Sequence, residues 1–148
     1  MTHDIDIVIT IPTALLNKVY SLFPMDEFYI PPIEVLKNEI SRENRGHCNI
    51  IHNESGFKAD LYFAGNNDFQ HLALKKVKEI NFYGDKIPIA PPEYVIIKKL
   101  EFFKEGKAQK HINDIKAILQ NSDDLIDSEF LMKYISIFAL EKEWKLCE

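Results

Sequence analysis

Three aspartates on two apolar runs are the residues of this chain best placed to do chemistry. Asp4 and Asp6 alternate with isoleucine in Asp4-Ile5-Asp6-Ile7-Val8-Ile9, and Asp60 sits inside Phe57-Lys58-Ala59-Asp60-Leu61-Tyr62-Phe63. Successive side chains of an extended strand point to opposite faces, so Ile5, Ile7, Ile9 and Ile11 share one face and Asp4 and Asp6 the other. By the same rule Phe57, Ala59, Leu61 and Phe63 form an apolar face, with Lys58, Asp60 and Tyr62 opposite. A carboxylate on a core-building strand costs several kcal/mol unless a cation or hydrogen-bond donors compensate it. Phosphoryl and nucleotidyl transfer uses such acids: two divalent ions about 3.5–4 Å apart, held by two or three carboxylates, stabilise the attacking and leaving oxygens. Asp4 and Asp6, about 7 Å apart along a strand, suit that task if Asp60 approaches from a neighbouring strand. Spacing alone equally admits a plainer arrangement, in which Asp4 and Asp6 lie at an exposed strand end and Asp60 pairs with Lys58.

The elements that must position these acids follow from periodicity. Strand character runs from Asp4 to Ile11, and Pro12 opens a helical stretch with Leu15, Leu16, Val19, Leu22 and Phe23 at helical spacing. Phe28 to Ile30 reads as a short strand. Pro31 and Pro32 start a helix striped by Ile33, Leu36 and Ile40, which Asn44 to Gly46 end. Cys48 to His52 and Phe57 to Phe63 form a hairpin around Asn53-Glu54-Ser55-Gly56. A helical segment from Phe69 to Lys76 precedes a second hairpin, Glu79 to Phe82 and Lys86 to Ala90, closed by Tyr83-Gly84-Asp85. From Pro91 on, three helices are predicted, striped by Ile96, Leu100 and Phe103, by Ala108, Ile112, Ile115 and Leu119, and by Leu131, Tyr134, Ile135 and Phe138, with Asp127 or Ser128 as N-cap of the last. Strands first and helices last make an α+β arrangement.

Composition excludes several function classes. A chain of 148 residues with 46% hydrophobic and 28% charged residues is ordinary for a globular domain, which sets aside disordered and fibrous classes. Its apolar runs fall far short of the roughly 18 residues of a membrane helix, so no membrane partner is expected. Two cysteines, Cys48 and Cys147, offer neither a disulfide framework nor a thiolate zinc motif, and a cytoplasmic location is expected. The net charge of -5 argues against nonspecific coating of nucleic acid. The lysines at 75, 76 and 78 and at 98, 99, 104, 107 and 110 read as solvated helix faces. His3, His52, His71 and His111 show no metal-ligand spacing to one another. The Arg42 to His47 spacing matches a pair used by small helical ribonucleases, but Gly46 interrupts any helix that could align the two.

Three segments in order, Thr2-His3-Asp4-Ile5-Asp6, Gly56-Phe57-Lys58-Ala59-Asp60-Leu61 and Pro92-Glu93-Tyr94-Val95-Ile96-Ile97-Lys98-Lys99-Leu100, resemble the nucleotidyltransferase-fold proteins of bacteria. The likeness is greatest to uncharacterised members related to AbiEii-type toxins and extends from Thr2 to about Leu119. It implies a single domain over residues 1–148: a mixed β-sheet flanked by helices in 1–90 and C-terminal helices in 91–148. It implies that Asp4, Asp6 and Asp60 are catalytic and hold two Mg2+ or Mn2+ ions, and that Thr2, Lys58, Lys99 and Asp114 bind substrate. The implied partners are a nucleoside triphosphate, an RNA or protein acceptor and an antitoxin.

Helical geometry selects Lys99 over Lys98 for the phosphate, since Lys99 lies about 60° from Ile96 and beside Phe103, whereas Lys98 lies on the polar side with Glu101. The plainer role for Lys99 is to cover the helix margin with its stem. Asp114 lies off its helix stripe, and a pair with Lys110 four residues earlier would explain it. The superfamily also carries a Gly/Ser segment before the first acid, whose backbone donors hold the triphosphate. No glycine precedes Gly46 here. Two readings follow: an enzyme whose phosphate cradle is encoded upstream, or a catalytically inactive binding module.

Overall fold

Alternating carboxylate and isoleucine produce β1 over Asp4–Ile9. It ends two residues before the period does, because Leu15 N–H donates to the Pro12 carbonyl and starts a tight turn that leads into α1, Leu16–Leu22. The computed structural model describes residues 4–43 and 45–148, apart from the side chain of Asp123. They divide into two compact units between Leu72 and Ala73.

The first unit holds β2 (Phe28–Tyr29), α2 (Ile33–Ile40), β3 (His47–His52) and β4 (Lys58–Phe63) beside β1 and α1. Its four strands form one mixed sheet in the order β1-β4-β3-β2, with β1 parallel to β4 and the other neighbours antiparallel. Leu16 of α1 and Leu36 of α2 pack with Cys48, Ile50, Leu61 and Phe63 in the core on one face. The alternation of β4 supplies that face with Ala59, Leu61 and Phe63. β1 departs from the expected core strand: it is an edge strand of this sheet, with Ile5 63% exposed, and only its end at Ile9 packs against the core.

α3 (Asp68–Lys75) crosses the boundary between the units. In the second unit β5 (Lys78–Phe82) and β6 (Asp85–Ile89) make a separate two-stranded sheet. Its two-residue turn puts Tyr83 at φ 51° and Gly84 at φ 94°, the double positive φ that such hairpins require. α4 (Pro92–Gly106) starts on a proline and buries Ile96, Ile97, Leu100 and Phe103; α5 (Gln109–Ser122) buries Ile112 and Ile115. α6 (Ser128–Ile137) is capped by Asp127, whose side chain accepts from Phe130 N–H at 2.9 Å, and a short α7 spans Glu141–Trp144. Buried Glu93 accepts the Asp127 N–H, so one acid near the start of α4 holds the start of α6. Among the described residues no helix is long and apolar enough to cross a membrane.

Gly46, in the α2–β3 connection, leaves no room for a side chain: a Cβ there would collide with the Glu39 carbonyl oxygen. Gly46→Ala is therefore expected to cost about 1–3 kcal/mol in urea unfolding. Gly106→Ala, in open space at the last position of α4, should be neutral or stabilise by up to ~1 kcal/mol. Equal midpoints for the two variants would refute this account of Gly46.

Candidate functional site

The parallel register of β1 on β4 sets Asp4 opposite Lys58, Asp6 opposite Asp60 and Val8 opposite Tyr62. The antiparallel register of β3 adds Ile51 beside Lys58, Asn49 beside Asp60 and His47 beside Tyr62. Register partners share a face, so the side turned away from the α1–α2 core carries the rows Asp4-Lys58-Ile51, Asp6-Asp60-Asn49 and Val8-Tyr62-His47. Adjacent strands run about 4.8 Å apart, which makes Asp6 and Asp60 immediate neighbours.

The charges on this face are tied together. Lys58 Nζ lies 2.9 Å from Asp60 Oδ2 and 3.8 Å from Asp4 Oδ2, while His47 Nε2 lies 3.4 Å from Asp60 Oδ1. Both oxygens of Asp60 are thus engaged, as its burial requires. The hydrogen bond to Asp60 holds the Lys58 pKa above the usual lysine value; desolvation opposes this, and the charges of Asp60, Asp4 and Asp6 add to it. Asp4 is exposed, its side chain at 57%. The His47 ring lies against Tyr62, with centroids 4.9 Å apart and planes at 36°.

In donor type the three carboxylates fit a hard divalent cation such as Mg2+ or Mn2+. Between Asp4 and Asp60, however, an ammonium takes the place a cation would use. Among the described residues no group of three or more His, Cys, Asp or Glu side chains is arranged to hold a metal. Lys58 would have to swing out for an ion to enter.

Thr2 falls outside the described residues. Lys99 and Asp114 belong to the second unit, where Lys99 Nζ meets Asp114 Oδ2 at 2.6 Å. Asp114 therefore pairs with Lys99 and not, as its helix spacing suggests, with Lys110, because the short turn at Lys107-Ala108 folds α5 back along α4. Lys98 pairs with Glu101 at 2.8 Å, as helical geometry predicts. Arg42 is held by Glu39 at 3.0 Å while His47 faces Asp60, so the ribonuclease-like pair has separate partners. His52 bonds Ser55 and His71 bonds the Gly65 carbonyl. A cavity of about 210 Å³, lined in part by Thr10, Ser41, Arg42 and Asn66, opens at the carboxyl ends of β1 and β4. It lies roughly 10 Å along the strand from Asp6 and includes none of the acids.

His47 and Asn49 are members of this face that the strand pattern alone did not single out. The signal was present in the hairpin, since the length of its loop fixes which residues of β3 stand beside Asp60 and Tyr62. No family model matches the chain, and no curated protein matches it.

His111, beside the Lys99–Asp114 pair, has its Nδ1 buried without a partner among the described residues. Burial, then Lys99 and Lys110, push its pKa below the usual 6.5, with Asp114 opposing. An unfolded chain binds this proton at higher pH than the folded one, so His111 favours folding above pH 6.5 and that contribution is lost as pH falls through the folded pKa. Between pH 7 and 5 the natural chain is expected to lose more stability in urea unfolding than His111→Gln. Identical losses would show that the imidazole is not destabilised in its charged form.

Proposed function

We propose that this chain is a metal-dependent nucleotidyltransferase of the cytoplasm, moving a nucleoside monophosphate from a nucleoside triphosphate to a hydroxyl of an RNA or protein acceptor as the α–β phosphoanhydride bond breaks and pyrophosphate leaves, in a toxin–antitoxin or phage-defence setting. The observation that carries the reading is the register of β1 on β4, which brings Asp6 opposite Asp60 with Asp4 two residues away on the same face. Asp4, Asp6 and Asp60 would hold Mg2+ or Mn2+, and the ions would neutralise charge on the triphosphate. Asp60 takes the proton of the acceptor hydroxyl, and Lys58, once displaced from between the acids, turns its ammonium to phosphate oxygens. Lys99, Asp114 and Thr2 enter as substrate-binding residues through the family resemblance alone.

One observation favours a second reading. Lys58 already compensates Asp4 and Asp60 without any ion. A module of this kind binds nucleotide, RNA or a partner protein without turnover and independently of magnesium.

Labelled nucleoside triphosphates, Mg2+ and pooled RNA and protein acceptors separate the two. The enzyme reading expects label transfer that falls by about 100-fold or more in Asp6→Asn. It also expects Mn2+ affinity, read by water-proton relaxation, to drop by roughly tenfold or more in Asp60→Asn and to rise in Lys58→Met, where the competing ammonium is gone. No transfer by the chain or by a form extended upstream, together with metal affinity indifferent to all three substitutions, would leave the binding module standing.

A further inference from the structure

We infer that His47, backed by Tyr62, is the stacking platform for the nucleobase of the bound nucleotide. This rests on the reading that the acid face takes a nucleoside triphosphate. The His47 side chain is 42% exposed, at the first residue of β3, where β4 lies on one side and the short β2, which pairs only with Ile51 and His52, does not reach. It is also fixed from two sides: Nε2 lies 3.4 Å from Asp60 Oδ1, and its ring leans on Tyr62 at 4.9 Å. An aromatic surface held in place and left open to solvent is what a planar ligand needs, because little side-chain entropy remains to be lost on stacking.

The location agrees with the size of a nucleotide. The row Val8-Tyr62-His47 is one strand repeat from the row Asp6-Asp60-Asn49, a separation of about 7 Å. That is the scale on which a ribose separates a base from its first phosphate. With phosphates over the acids, the base falls over His47. Asn49, between His47 and Ile51 on β3, offers a donor and an acceptor to the edge of a base lying there. Had His47 served only to cover Asp60, a flexible polar side chain would have sufficed and no aromatic neighbour would be needed.

Two probes test this on the full chain by titration calorimetry: Mg2+ with ATP, and Mg2+ with inorganic tripolyphosphate, which has the phosphates but no base. His47→Ala is expected to weaken ATP binding roughly 5- to 150-fold and leave tripolyphosphate binding within about twofold. His47→Phe, which keeps a ring and loses the contact with Asp60, should restore ATP binding. Equal ATP affinity of the natural chain and His47→Ala would overturn the platform while leaving the nucleotide reading intact. An equal loss for both probes would overturn it too, making His47 a positioning residue for Asp60. Binding of neither probe by the natural chain would overturn the nucleotide reading itself and the platform with it.

Discussion

The register of one parallel strand pair governs this protein. Because the side-chain period of a strand is two, sliding β1 by one residue along β4 would turn Asp4 and Asp6 toward the α1–α2 core and Ile5 and Ile7 away from it. The apolar faces of both strands therefore choose the register, and the acids follow. The outcome places two carboxylates, Asp6 and Asp60, directly across a ladder, where like charges destabilise the pair. Lys58, one repeat earlier on β4, offsets this by reaching Asp60 and Asp4 with one ammonium. Its side chain stays 30% exposed, so this pair is not fully withdrawn from water as the unprofitable buried ion pairs are.

That compensation sets folding and ion binding against each other at one position. Lys58 makes the acid face tolerable without a metal, and for the same reason raises the cost of admitting one. A cation entering between Asp4 and Asp60 must displace a lysine whose proton affinity those acids have already increased. His47 takes the other oxygen of Asp60, so the most buried acid of the set is also the one most fully engaged. An ion that enters between Asp4 and Asp60 competes with the Lys58 contact on Oδ2, which favours ions that gain from all three carboxylates together over those satisfied by one.

Local pattern was legible in the sequence wherever a single element decided the outcome. The hairpin turn at Tyr83-Gly84, the proline start of α4, the Asp127 cap of α6 and the Lys98–Glu101 pair each depend on residues within a few positions of one another. What depended on pairing across the chain was hidden. The strand pattern of β1 does not say whether β1 lies inside or at the edge of a sheet. The partner of Asp114 is a lysine fifteen residues away on another helix, closer in space than the one four residues away on its own. His47 becomes a neighbour of Asp60 only after β3 is laid against β4.

An edge strand gives the acids of β1 a second physical reason to exist. Open edges invite pairing with other chains, and charged residues on them discourage it; Asp4 and Asp6, alternating with exposed Ile5 and Ile7, serve that purpose without any ion or substrate. The same reason does not extend to Asp60. Asp60 lies on β4, paired on both sides, and is only 8% exposed, so no edge needs it and its burial has to be offset by Lys58 and His47. A polar residue retained at such a place is weak support for stability, since an apolar side chain of similar volume would remove the need for both partners. Of the three acids, Asp60 is therefore the one whose presence calls for a functional account, and the proposed chemistry stands on it more than on the two that first draw the eye.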